Sequence, residues 1–182
     1  VLDCLRQKLE AEFGEARAFH MEEEAGQVLG KPVELKDVGL RIQPPNGWEG
    51  EKFATKYVFK PREWPKTPKP TITIQAVPTE MELDSFMAAD YRDHIVKYPG
   101  CVPVHKNQYV PGTEFDWGYN SWTYVRPDSL KMYVHRRYYE MPEHVAIITV
   151  EATQKDWARN EALFEEFLSR VVVLIPESRI KR

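Results

Sequence analysis

Five histidines (His20, His94, His105, His135, His144) and two cysteines (Cys4, Cys101) are the side chains of this chain best suited to bind a metal or attack a carbonyl. Their spacing argues against both. No two histidines stand at i, i+4, the interval that puts two ligands on one helix face, and there is no His-Glu-x-x-His. Glu140, Glu143 and His144 cluster at a turn, with His135 on the segment before it. Solvated side chains explain that grouping better than anything beyond an adventitious metal. Cys101 follows Pro99-Gly100 and opens an extended segment. Activated thiolates favour helix N-termini or cationic neighbours, so Cys101 reads as a small buried thiol. No Gly-x-Ser-x-Gly elbow is present, and the 9 glycines form no phosphate-cradling loop. The residues therefore assign no catalytic group, no metal ligand and no cofactor.

Binding chemistry is better represented. Lys131-Met132-Tyr133-Val134-His135-Arg136-Arg137-Tyr138-Tyr139 alternates with period two. Lys131, Tyr133, His135, Arg137 and Tyr139 then share one face, and Met132, Val134, Arg136 and Tyr138 the other. The first set reads as facing solvent or a partner, since Tyr and Arg are enriched where proteins bind one another. The alternative is that a helix covers it and the arginines pair with carboxylates. Trp64 and Trp117 fall in connecting segments, where packing explains an aromatic less readily, and they join the candidate contacts. Trp48, Trp122 and Trp157 read as core.

The elements that must position these residues follow from periodicity. Leu2, Leu5, Leu9, Phe13, Ala16 and Phe19 recur at three or four residues and predict an amphipathic helix to about Glu24. Leu5, Leu9 and Phe13 are its candidate partner contacts, if the helix does not pack on its own domain. Strands are predicted over Val38–Ile42, Lys56–Phe59 and Thr71–Val77, then a helix over Glu82–Tyr98 closed by Pro99-Gly100. Between the second and third strands, Lys60 to Pro70 holds 4 prolines, which lack an N–H and forbid regular pairing, so an exposed semi-rigid loop is expected. Four alternating segments follow, Cys101–Val110, Ser121–Arg126, Leu130–Tyr139 and Val145–Ala152. A helix over Lys155–Arg170 and a short strand over Val171–Ile175 end the sequence of elements. Strands joined by hairpin-length links predict an antiparallel sheet with helices on its faces, an α+β domain.

Composition bounds the rest. With 182 residues, 42% hydrophobic and 29% charged, the chain suits one well-buried domain. A net charge of −3 argues against a dedicated nucleic-acid binder, and no apolar run is long enough to span a bilayer as a helix. Residues 1–38 hold 5 Lys/Arg against 9 Asp/Glu, which marks residues 1–37 as an acidic arm and linker. A domain over 38–175 and a basic tail over 176–182 complete the expected division. A start at Val1 suggests processing, with an exported or organelle-lumen location favoured over a cytoplasmic one.

Several of these pieces together resemble the PsbP-like superfamily. They are Pro45-Asn46-Gly47-Trp48 after a short strand, the Leu83-to-Tyr98 helix ending in Tyr-Pro-Gly, a long antiparallel meander, and Lys155-Asp156-Trp157 leading to Phe164-Glu165-Glu166-Phe167-Leu168. The resemblance covers residues 38–175. It implies a three-layer α-β-α sandwich with a central antiparallel sheet, to which this chain would add the N-terminal helical arm. Relatives in that superfamily include a photosystem II extrinsic subunit, a Ran-binding import factor, and bacterial exported proteins and secretion chaperones. The implied action is non-catalytic: docking on subunits of a larger protein complex, membrane-bound complexes included, with no nucleic acid involved. Two alternatives stand beside it, a small-ligand binder with a pocket between sheet and helix, placed near Trp117, Tyr119 and His135, and a secretion chaperone of the same fold.

Overall fold

A computed structural model describes residues 28–98 and 100–174. The expected arm helix, with Leu5, Leu9 and Phe13, and the basic tail lie outside the described residues. Ten strands and two helices follow one another: β1 (Val33–Leu35), β2 (Leu40–Ile42), β3 (Trp48–Phe53), β4 (Lys56–Pro61), β5 (Thr71–Pro78), α1 (Leu83–Lys97), β6 (Val102–Val110), β7 (Trp117–Val125), β8 (Lys131–Glu140), β9 (His144–Thr153), α2 (Gln154–Ser169) and β10 (Val172–Val173). Seven of the strands form one sheet in the order β3-β4-β5-β9-β8-β7-β6, every neighbouring pair antiparallel. A second sheet pairs β1, β2 and β10.

The chain leaves the middle of the large sheet after β5, crosses through α1 to the far edge at β6, and returns strand by strand to β9. That path explains why β9 is apolar without alternation. Val145, Ala146, Ile147 and Ile148 are all buried because β9 is central and covered on both faces. The two faces carry different helices. Tyr138 packs with Leu83 and Met87 of α1, whereas its neighbour Tyr139 joins the cluster of Trp157, Phe164 and Phe167 of α2. Successive strand residues point to opposite sides, so α1 and α2 sandwich the sheet. The small sheet lies on the α2 side, where Leu35, Val38, Leu40 and Ile42 enter the same core.

Local chemistry accounts for the helix boundaries. Leu83, Met87 and Tyr91, spaced by four, form the buried edge of α1, and Gly100 with φ +83° makes the turn that follows. Ile95, expected on the buried face, is exposed. At the start of α2, the Thr153 side chain accepts from the Asp156 N–H at 3.0 Å, an N-cap that also donates to the Asp156 carboxylate. Asn160 interrupts the helical backbone of α2 and donates to the Asp156 carbonyl.

The sequence reading differs from the fold in three places. Residues 33–35, expected in the linker, form β1 against β2. The strand β3 was not expected at all. Its WEGEKF sequence has no alternation, because as an edge strand it is mostly exposed. The strand predicted from Ser121 begins at Trp117, which pairs with Val110 and Tyr139.

Candidate functional site

On the α2 side of β8, the side chains expected to meet solvent or a partner are largely enclosed. His135 is 7% exposed and Tyr139 5%, with Tyr133 and Arg137 half-buried. A helix covers this face, but Arg137 meets a carbonyl and aromatic rings rather than the expected carboxylate. The His135 ring lies between Tyr119, stacked at 5.4 Å, and Trp157 at 6.1 Å, and Tyr133 packs on Trp157 at 4.3 Å. Arg137 holds the edge of the stack, its Nη1 donating to the Leu168 carbonyl and its guanidinium lying 5.2 Å from the Trp117 ring centre. Burial first, then the charge of Arg137 and the neighbouring His105, push the His135 imidazole down to about 3. Neutral at any physiological pH, its Nε2 accepts from Arg137 Nε at 3.4 Å. The geometry makes it a packing residue and a poor proton shuttle. The pocket expected near Trp117, Tyr119 and His135 is thus filled by side chains.

The opposite face of β8 carries a buried polar network. Arg136 Nη2 donates to Asp90 Oδ1 at 3.0 Å, and Nε lies 2.9 Å from Oδ2 at an angle too bent for a hydrogen bond, so that contact is purely ionic. Tyr138 donates to Asp90 Oδ2 at 2.7 Å and accepts from Asn120 Nδ2, which also reaches the Met87 carbonyl. Arg136 Nη1 donates to Thr149 Oγ1 and lies 3.3 Å from His94 Nε2, while His94 Nδ1 donates to the Asp90 carbonyl. That pattern assigns the proton of a neutral His94 to Nδ1. The network ties α1 to β7, β8 and β9. Beside it, a cleft of about 420 Å³ opens between the C-terminal end of α1 and the parts of β5 and β9 that carry Thr71, Thr73, Thr149 and Glu151, whereas the N-terminal half of α1 packs on Val145 and Ile147.

The remaining sequence candidates scatter. Trp64 is half-buried with its Nε1 enclosed, beside a hollow of about 660 Å³ shared with Trp48, Arg62 and Leu163. Its loop contains a cis Thr67–Pro68 peptide, and Lys69 reaches back to the Pro61 and Arg62 carbonyls. Trp117, expected in a connection, stacks on Tyr119 inside β7. Among the described residues no three His, Cys, Asp or Glu side chains group to hold a metal, and His144 Nε2 donates to the Val38 carbonyl. Burial pushes the Cys101 thiol up, away from nucleophile behaviour.

Two features escaped the sequence reading. One is the pairing of Asp90 with Arg136, residues 46 apart, which no local pattern announces. The other is a set of exposed valines near the β6 edge: Val96 at the end of α1 (81% exposed), Val102 and Val104 on β6 (59% and 46%) and Val125 at the end of β7 (52%), with Val102 and Val125 on the face of the sheet opposite α1. Val102 pairs with Thr123, two residues before Val125, and only a short turn separates it from α1.

No protein-family model and no curated protein sequence matches the chain. Solved structures do. Cyanobacterial PsbP from Synechocystis is similar with a TM-score of 0.63 and 14% identity, over 81% of this chain and 93% of that one. The Pseudomonas aeruginosa protein PA94, of unknown function, matches with a TM-score of 0.59 and 13% identity, over 80% of this chain and 97% of its own. LpqN, involved in cell envelope biogenesis of Mycobacterium tuberculosis, matches with a TM-score of 0.57 and 11% identity, over 79% and 89%. The chain has a PsbP-like fold, and at these identities the likeness is one of architecture.

Proposed function

We propose that this chain is a non-catalytic binding module that docks on a larger protein assembly through the corner formed by Val96, Val102, Val104 and Val125. The observation that carries this reading is the exposure of four valines bordering the β6 edge, Val96 from α1 and Val102 and Val125 from the opposite face of the sheet, with no packing duty to explain it. β6 is an edge strand, yet Pro103, Lys106 and two register shifts obstruct the addition of another strand. Recognition there rests on side chains. The arm residues Leu5, Leu9 and Phe13 are proposed as a second anchor. Trp64, Trp117, Tyr133 and Arg137, half-buried, are proposed at most as rim contacts, and the enclosed His135 and Tyr139 act by holding that face in shape. The PsbP-like fold supports a binding role, and a secretion chaperone is a variant in which the bound partner is an exported protein.

The test is capture from the native host extract with four full-length chains: wild type, Val96→Lys with Val102→Lys, Leu5→Glu with Leu9→Glu, and Val172→Lys as an exposed-valine control on β10. A defined partner set retained by wild type and Val172→Lys but lost with the corner pair is the expected result. Equal loss with the control, or no partner for the wild type, overturns the proposal. Surface changes of this kind shift stability by only about 0.5 kcal/mol, so thermal melts separate lost docking from unfolding.

A further inference from the structure

The cleft beside α1 contains a charged group that the fold leaves without a close ionic partner, since the one cation that acts on it, Arg126, is itself paired with Asp128. Arg136, at its base, is paired with Asp90 and donates to Thr149. Glu151 on β9 is the unpaired group. It lines the cleft half-buried and accepts one hydrogen bond, from the Tyr124 hydroxyl at 3.2 Å. Among the described residues no Lys, Arg or His nitrogen lies within 4.0 Å of its carboxylate. A carboxylate offers about four acceptor positions, and taking a charge out of water without pairing it is costly. Burial accordingly pushes the Glu151 carboxyl up.

The surroundings of Glu151 suit an ammonium group. Tyr98 lines the cleft and packs at a tilt on Tyr124, ring centres 4.6 Å apart, so an aromatic face stands on the cleft wall near the carboxylate. Thr71, its cross-strand partner on β5, and Thr73 and Thr149 next along the floor supply hydroxyls that both donate and accept. The rim has the opposite sign. Lys97, on the wall formed by α1, and Lys56, on β4, are exposed lining residues with no carboxylate within 4.0 Å among the described residues. A simple anion would meet Glu151 on entering, and a simple cation would first meet the two lysines.

From this juxtaposition we infer that the cleft binds a small zwitterion of the amino-acid or dipeptide type, its ammonium on Glu151 and its carboxylate toward Lys97. The volume, about 420 Å³, lies within the range of small-molecule sites, about 300–1,000 Å³. The inference does not depend on docking at the valine corner.

The test follows the backbone amides of the full chain by NMR during titration. The probes are L-alanine, L-glutamine and glycylglycine, with ethylamine as the ammonium alone and acetate as the carboxylate alone. Each is raised to about 10 mM, tenfold above a Kd of about 1 mM. The expected result is saturable movement of the Thr71, Thr149 and Glu151 amides with at least one zwitterion, and at least about tenfold weaker binding of ethylamine and acetate. Glu151→Gln, isosteric and still able to accept from Tyr124, should weaken that binding at least about tenfold. Lys97→Gln, on the exposed rim, should weaken it without touching the folded core, which keeps the test informative if Glu151→Gln disturbs folding. No movement with any zwitterion, ethylamine or acetate binding as tightly, or unchanged affinity in both variants overturns the inference.

Discussion

His135 shows how completely an environment can retire a reactive side chain. Its ordinary pKa of 6.5 is pushed down to about 3 by burial, so as pH falls the unfolded chain takes the proton first. Stability from this group is therefore whole above pH 6.5 and is lost as pH drops from 6.5 toward 3, at about 1.4 kcal/mol per pH unit. Denaturant unfolding across that range should show the slope, and His135→Gln should flatten it. Asp90 carries a second prediction. Asp90→Ala strands the buried Arg136 and the Tyr138 hydroxyl and should cost about 3–5 kcal/mol, whereas Asp90→Leu with Arg136→Met should recover most of the loss. The double-mutant cycle measures that coupling by urea denaturation. At this scale the sequence was half legible. Alternation divided the residues of β8 correctly between its two faces, but which face a helix would cover depends on chain segments far along the sequence.

Between elements, the contact of α1 with β7 is the least forgiving. A Cβ on Gly118 would stand 2.5 Å from Met87 Sδ and 2.8 Å from the Gln108 carbonyl, a backbone atom that cannot step aside. Gly118→Ala should cost about 1–3 kcal/mol and lower the melting temperature by about 2–4 °C for each kcal/mol, read by calorimetry. Both described helices were legible from apolar residues three or four apart, and the four-strand meander from extended segments set off by turn residues such as Pro127-Asp128-Ser129 and Met141-Pro142-Glu143. The strands β1 and β3 were not. β1 is three residues with one buried side chain, and β3 is an edge strand whose exposed Glu49, Glu51 and Lys52 mask any pattern. Trp117 and Tyr119 read as connection because Gly118, Asn120 and Ser121, residue types common in turns, interrupt the apolar pattern there.

Over the whole molecule, the two faces of the large sheet are unequally covered. α2 and the three-stranded sheet close one side around a single apolar core, while α1 on the other covers β6 to β8 and the Val145–Ile147 part of β9. That asymmetry leaves the cleft over Thr71, Thr73, Thr149 and Glu151 of β5 and β9 and places the end of α1 near the exposed edge at β6. Zwitterion binding in the cleft is therefore a property of the α1 side, whereas docking at the valines belongs to the β6 edge, where Val102 and Val125 share the face of Tyr133, and the two experiments proposed above probe them separately. The amino-acid sequence by itself determined the α+β class, the order of most elements and the absence of local catalytic and nucleotide-binding motifs, because periodicity, proline placement and motif spacing are local. Only the tertiary structure decided that Asp90 meets Arg136, that His135 is enclosed, and that Glu151 faces a cleft without a close ionic partner, because burial and charge pairing arise from residues that the chain brings together across long separations.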